Sequence, residues 1–362
     1  MMMNILNLRM IFLNILNNVL LRHTRKSLLL KKVKRLLLSG ITAMTKIIGK
    51  YTNGNVLTTI WDDGTKIRYT KDDEFHPEFP ENMDIKITNK CTGTNCQWCH
   101  EGSNKDGLNA DILHEPFIDT LHPFQEAAIG GGNVFEHPDL IPFLEKLKDK
   151  KVIANITVNQ IHFMQHLKEL HEMTDKKLIY GLGVSLVNPT DEFISAVKEF
   201  PNAVIHVING IITEGQIDRL ANHDLKLLIL GYKILRRGKD YIGDNMHLVM
   251  MNQMMLKNKI QSMISQFKVV SFDNLAVIQL DVKELMTQEK WNEFYQGDDG
   301  TFTFYIDMVN RKFATSSTEP LESRKPLMDN VDDMFRKIQN DKLIESCKGQ
   351  REWTTHLVKT QF

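Results

Sequence analysis

The chain has little that would mark it as secreted, fibrous or membrane-spanning. Its 362 residues hold four cysteines, too few for a disulfide scaffold. Positive and negative side chains balance at 45 each, 42% of residues are hydrophobic and 25% are charged, which excludes a globally disordered or collagen-like chain. No clean apolar run reaches bilayer length: Ile5 to Leu21 is interrupted by Asn7, Arg9, Asn14, Asn17 and Asn18, so a polytopic membrane protein is excluded. There is no repeat at solenoid spacing, no low-complexity tract, no second C-x-x-C and no cobalamin-binding segment. What remains is an ordinary globular composition, long enough for two domains or for one α/β barrel with extensions.

The balanced charge conceals an asymmetry. Residues 1–43 carry eight positive charges (Arg9, Arg22, Arg25, Lys26, Lys31, Lys32, Lys34, Arg35) and no acid, which leaves 37 against 45 in the other 319 residues, a net of −8. A body of that sign is poorly suited to a long nucleic acid. Leu28 to Leu38 reads as a basic amphipathic helix of the kind that lies on membranes, and Ser39-Gly40 before Ala43 is a poor cleavage site. Met44-Thr-Lys-Ile-Ile-Gly reads as the natural beginning, with residues 1–43 a basic extension outside the fold. Without that extension no membrane partner is expected, and the protein is expected in the cytoplasm.

From Tyr51 to Tyr69 apolar and polar residues alternate around Asn53-Gly54 and Asp63-Gly64, dipeptides suited to tight hairpin turns. Residues 44–80 are therefore an N-terminal β-hairpin element. Beyond them short apolar runs (Asp84–Thr88, Ala127–Ile129, Val152–Val158, Leu178–Val187, Ala203–Ile208, Leu225–Leu230) alternate with amphipathic stretches at 111–121, 138–149, 159–173, 190–199 and 214–222. Such alternation predicts a parallel sheet with right-handed crossovers. No order switch is evident, so the expected fold is α/β, a partial (β/α)6 TIM-like barrel over residues 81–275. A long helix is expected at 244–265 and strands at 267–272 and 275–281. The C-terminal α+β extension, residues 276–362, has a strand after Gly297-Asp-Asp-Gly300 and a helix at Val331–Gln339. The methionines Met246, Met250 and Met254, with Met251 and Met255, read as a core stripe.

Three cysteines fall within nine residues, Cys91-Thr-Gly-Thr-Asn-Cys96-Gln-Trp-Cys99, directly after the first barrel strand; Cys347 stands alone. Loops after strand ends form the active-site face of a barrel, and three thiolates on one loop can wrap a soft metal centre. Three readings compete. Zinc could take Cys91, Cys96, Cys99 and His100 or a distant fourth ligand. Cys96-Gln-Trp-Cys99-His100 is literally a c-type haem attachment sequence, although that reading needs export and gives Cys91 no role. An iron–sulfur cluster held by three cysteines would leave one iron open to another molecule. The next strand ends in Gly130-Gly131-Gly132-Asn133, where backbone can approach a ligand with no Cβ in the way.

These residues resemble the radical S-adenosylmethionine (SAM) superfamily over about residues 84–235, and more broadly the uncharacterised radical SAM proteins of bacteriophage genomes. The family's cluster motif is usually C-x3-C-x-aromatic-C; here Trp98 supplies the aromatic, with one extra residue in the first gap. The resemblance implies a 4Fe-4S cluster on Cys91, Cys96 and Cys99, with SAM on its open iron. It further implies that one electron cleaves the sulfonium bond to give methionine and a 5′-deoxyadenosyl radical, which takes hydrogen from a substrate. Gly130, Gly131, Gly132 and Asn133 would meet the methionine amino group, and Asn133 stands where the family often has Glu-Pro. Ser185, and after it Asn188, would meet the ribose or carboxylate; Asn209 would add a SAM contact; Gly231 would border the adenine. A reduced flavodoxin or ferredoxin is implied as electron donor, and the substrate would be a small molecule or nucleoside. For that substrate the strand ends offer Asn155, Thr157, Asn159, Lys233 and Asp273, with Arg236 and Arg237 as a possible anion clamp beside Lys233, and Glu101 near the adenine. His206, inside an apolar strand, reads as a packed core histidine.

Overall fold

The computed structural model describes residues 46–343, apart from 94, 95 and 296. The basic extension and Cys347 lie outside the described residues. The chain opens with the expected hairpin element, a three-stranded antiparallel sheet of β1 (Ile47–Asn53), β2 (Val56–Trp61) and β3 (Lys66–Tyr69). Gly54 turns the first hairpin at a φ of +58°, which a Cβ would oppose.

The main sheet has ten strands. Seven follow one another in chain order and run parallel: β4 (Asn82–Thr88), β5 (Glu126–Gly131), β6 (Ile153–Asn159), β7 (Gly181–Ser185), β8 (Ala203–Ile208), β9 (Lys226–Leu230) and β10 (Val269–Phe272). On the other side of β4 lie β11 (Thr303–Asp307), parallel to it, and then β12 (Lys312–Ala314) and β13 (Lys325–Pro326), both antiparallel to their neighbours. The sheet is not closed. The edge of β4 that a complete barrel would pair with its last strand is taken by β11, so closure is pre-empted by the antiparallel hairpin beyond it.

One face of each parallel strand is apolar. Ile85, Ile87, Ile129, Ile156, Val158, Val184, Ile205, Val207, Leu227 and Ile229 are buried in one continuous core. Helices cover that face: α1 (Leu140–Asp149), α2 (Gln160–Gln165), α3 (Leu167–Asp175), α4 (Asp191–Lys198), α5 (Glu214–Leu220) and α6 (Arg237–Gln266). Their starts are set by side-chain caps, among them Thr190 on Phe193 N and a full capping box between Thr213 and Gln216, which satisfy amides that a first turn leaves bare. No helix among the described residues is long and apolar enough to cross a membrane.

Three local expectations are corrected. Residues 111–121 form only a short 3-10 turn, Pro116–Thr120. The Asp111 carboxylate accepts from the amides of Leu113 and His114, a local turn that competes with helix. Residues 275–281 are not a strand: Asp273 caps Ala276 N at 2.7 Å and starts α7 (Asn274–Gln279). Of the five α6 methionines expected in the core, only Met255 packs against it. Met246, Met250 and Met254 are 57%, 54% and 66% exposed; the buried stripe is Val249, Leu256, Ile260 and Met263, after a break at Asn245. A short helix, α8 (Gln288–Phe294), precedes β11, and residues from 331 to 343 are helical as expected at the start of that range.

Candidate active site on the cysteine loop

The opposite face of the strands is polar and, apart from the buried Lys86, partly open to water. Asp84 and Lys86 on β4, Asn155, Thr157 and Asn159 on β6, Ser185 on β7 and His206 on β8 alternate with the core residues, so they share this second face. Glycines make room there. A Cβ on Gly181 would stand 2.6 Å from Asn155 Oδ1, and one on Gly183 would stand 2.6 Å from His206 Nε2 and 2.9 Å from Thr157 Oγ1. His206 is thus half-buried on the polar face and is not a packed core residue. Burial and then the nearby Lys233 charge push it down to about 4. Asp84 is accessible to water, yet the enclosing protein pushes its carboxyl up to about 6, with Lys233 pulling the other way and Asp299 and Asp273 adding to the rise.

The cysteine loop leaves β4 and lies over the C-terminal strand ends. Its backbone is fixed by Cys91 N to Asn104 O (2.8 Å), Cys99 N to Cys96 O (3.2 Å) and Gly102 N to Cys99 O (3.2 Å). Cys91 Sγ is 3.8 Å from His162 Nε2, and His162 Nδ1 is 3.3 Å from Asn133 Nδ2. Asn159 Nδ2 donates to Cys96 Sγ at 3.6 Å. The far end of the loop rests on the start of α6: the Trp98 ring meets Tyr241 edge-on at 5.5 Å. All three thiols are half-buried and none is in a disulfide.

The glycine bend carries this loop. A Cβ on Gly131 would press on the Thr88 carbonyl, and one on Gly132 would stand 2.8 Å from the Lys90 carbonyl carbon. Gly131 also has a φ of +119°. Gly132 N and Asn133 N donate to Thr88 O and Lys90 O, each at 2.8 Å. These two amides are thus engaged with the cysteine loop itself, whereas Gly130 faces open space, its nearest neighbour being Thr157 Cβ at 3.9 Å. Asn133 is buried, and its side chain also reaches Glu136 Oε1 at 3.1 Å.

The other expected SAM contacts are distributed differently. Ser185 pairs across the sheet with Asn159 and His206, at the level of the Cys96 contact. Asn209 is fully buried and donates to Gln279 Oε1 at 3.0 Å. Gly231 is packed against α7, where a Cβ would stand 2.8 Å from Ala276 N, and its amide donates to Asp273. Both are covered by the helix that replaced the expected strand. Of the three basic residues near Gly231, Arg236 and Arg237 donate to the backbone of Glu101 and Ser103. Lys233 reaches Ser317 Oγ at 2.8 Å and His100 Nε2 at 3.4 Å.

Three residues important to this geometry were not singled out in the sequence. Lys86 and Asp84 had a visible signal, the polar alternation inside Asp84-Ile-Lys-Ile-Thr88. His162 had none, since it lies 71 positions from Cys91.

Among the described residues no group of three or more His, Cys, Asp or Glu side chains is gathered so as to hold a metal ion. A single zinc ion needs four ligands at one point.

No protein-family model matches the chain, and no curated protein matches it. Among solved structures it is similar to Streptococcus suis SuiB bound to precursor peptide SuiA, with 15% identity and a TM-score of 0.42 over 67% of this chain and 60% of that one. SuiB bound to S-adenosylmethionine gives 16% identity and a TM-score of 0.41 over 66% and 58%. A Plasmodium falciparum HPPK-DHPS triple mutant with pteroate gives 12% and 0.25 over 72% and 56%. The chain thus spans less than two thirds of each of these proteins. Likenesses of this depth carry no function over to it.

Proposed function

We propose that this protein is a radical SAM enzyme with one 4Fe-4S cluster on Cys91, Cys96 and Cys99, acting on a small polar substrate in the concave interior of a partial barrel. The observation that carries the reading is the pairing of two features. Three thiols share one loop above the C-terminal ends of consecutive parallel strands, and that loop is seated on the glycine bend of the neighbouring strand. Strand ends of this polarity are where parallel α/β folds assemble their chemistry.

Cys91, Cys96 and Cys99 would hold the cluster, which would supply one electron for reductive cleavage of the SAM sulfonium bond. The chain's own residues do the rest. Gly130 leaves backbone open for the amino-acid end of SAM, and Ser185 and Asn159 line the rim beside Cys96. Trp98 and Tyr241 shield the loop's outer side from water. Asp84, Asn155, Thr157 and His206 line the interior below. His206 is a neutral imidazole at physiological pH, able to accept or donate one hydrogen bond, and Lys233 supplies a positive charge at the mouth. This lining suits a compact polar molecule such as a nucleoside, and the −8 of residues 44–362 disfavours a long polyanion. A reduced flavodoxin or ferredoxin would deliver the electron, because such clusters sit toward the reducing end of a range of about −700 to +450 mV.

The test is anaerobic reconstitution with iron and sulfide, followed by SAM and dithionite. The expected results are a brown protein with broad visible absorption and formation of 5′-deoxyadenosine. A colourless protein with stoichiometric zinc, or an intact iron–sulfur protein that leaves SAM uncleaved, would overturn the reading.

A further inference from the structure

Glu101 lies two residues beyond Cys99, and its carboxylate is buried at the centre of a charged group that spans four separate segments. Lys86, in the middle of β4, points its ammonium at Glu101 Oε2, 2.8 Å away, with its side chain only 1% exposed. Tyr305 on β11 donates its hydroxyl to Glu101 Oε1 at 3.3 Å. His100 Nε2 is 3.4 Å from the same oxygen. Arg236 at the start of α6 donates to the Glu101 backbone carbonyl and stands 3.4 Å from Oε2. Behind this, Asp307 lies 3.5 Å from Lys86 and takes an ion pair from Arg324 at 2.8 Å.

This is more anchoring than a turn requires. A capped turn needs one or two hydrogen bonds, and a buried carboxylate is costly unless fully partnered. Here the cost is met by residues from β4, β11 and the β9–α6 connection, all converging on the loop end that carries Cys99. Arg236 adds an independent sign. It is a non-glycine residue with a φ of +48° and a ψ of −127°, a sparsely populated conformation that persists only where the surroundings hold it.

We propose that Glu101, held by Lys86, is a positioning residue that fixes the Cys99 end of the cysteine loop over the concave interior. The inference rests on the radical SAM reading for what the loop would hold, but the positioning itself concerns this chain alone. With Lys86 replaced, the Glu101 carboxylate loses its only fully buried cation, and the segment from Cys99 to Gly102 is released. The Cys91 end, seated on the glycine bend and on Asn104, is not.

The test uses K86M, E101Q and the double variant K86M/E101M of the full chain. Removing both members of a buried ion pair is tolerated far better than removing one, so the double variant is expected to melt close to wild type while K86M melts lower. In the metal-free proteins, alkylation by iodoacetamide followed by peptide mass spectrometry reads each thiol. Cys99 is expected to react several-fold faster in K86M and in the double variant, with Cys91 unchanged. In the reconstituted proteins the electron paramagnetic resonance signal of the reduced cluster is expected to change in the double variant despite its restored stability. Equal Cys99 rates in wild type and the folded double variant would overturn the positioning role, as would an increase shared equally by Cys91. If wild type binds no iron while the Cys99-selective increase is still seen, the radical SAM reading fails and the positioning role stands.

Discussion

A methyl group at residue 132 should displace the cysteine loop while leaving the rest of the sheet alone. In Gly132→Ala the new Cβ would stand 2.8 Å from the Lys90 carbonyl carbon and 3.1 Å from that of Asn89. Ordinary carbon–carbon contact is about 3.5–4.0 Å, so the loop must retreat by roughly 1 Å. Both atoms are backbone, and no side-chain rotation can relieve them. The retreat stretches the bonds from Gly132 N and Asn133 N to Thr88 O and Lys90 O, each 2.8 Å now. At a net of about 0.5–1.5 kcal/mol per bond, the expected loss of stability is roughly 2 kcal/mol. The expected loss of function is larger, because a misplacement of about 1 Å can cost some 10²-fold in rate. Gly130→Ala is the internal control for stability, since its Cβ would meet only Thr157 Cβ at 3.9 Å. Denaturant unfolding and iron content of the two variants, with 5′-deoxyadenosine yield for Gly132→Ala, decide the matter. A Gly132→Ala protein that unfolds like wild type, or a Gly130→Ala protein equally destabilised, would refute the account of the glycine bend.

Other outcomes follow from the same geometry. Alanine at Cys91, Cys96 or Cys99 should abolish 5′-deoxyadenosine formation, whereas Cys347→Ala should not; product analysis by chromatography separates them. His206 titrates near 4 when folded against an ordinary 6.5, so the unfolded chain takes up a proton that the folded chain refuses, and stability should fall as pH drops from 6.5 to 4. Asp84 acts in the opposite sense: its folded value of about 6 lies above the ordinary 3.8, so its contribution is present at low pH and lost as pH rises through 6. Asp84→Asn should therefore stabilise the protein above pH 6, with the gain vanishing below 3.8, and His206→Asn should flatten the acid limb; urea midpoints measured across pH test both signs. Met254→Gln should change stability by less than about 0.5 kcal/mol, as for other exposed sites, while Leu256→Ala two positions on should cost about 2–5 kcal/mol.

Much of this architecture could be read from local pattern. Six apolar runs lie in six of the parallel strands, because burial of one face under helices leaves a hydrophobic signature that needs no long-range information. The hairpin turns and the helix starts were equally legible, since Gly54, Thr190 and Thr213 act on their immediate neighbours. Ambiguity entered where a short apolar run suits either state: Leu275-Ala-Val-Ile278 looks like a strand, and only the Asp273 cap and the space above Asn209 and Gly231 make it a helix. The α6 methionines misled because i, i+4 spacing fixes a common face without saying whether anything covers it. The chain-order pairing of β4 to β10 followed from the strand–helix alternation, but the pairing at the other edge of β4 was not legible. Nothing near Thr303 announces that β11 lies against β4, yet that pairing prevents closure and brings Tyr305 and Asp307 to the site. Of the site itself, the cysteines and the glycine bend were visible as clusters in sequence, while Lys86, His162 and the anchoring of Glu101 depend on contacts between distant segments.

That dependence has a temporal side. Tyr305 follows Glu101 by 204 positions, so a ribosome adding about 5–20 residues per second needs roughly 10–40 s between the two. During that interval the thiols have been made but one wall of their seat has not, and the nascent loop must avoid oxidation and stray metals without it. Maturation would thus belong to the finished polypeptide, and a fragment ending before β11 would make a poor acceptor for inorganic sulfide and iron even with all three cysteines in place.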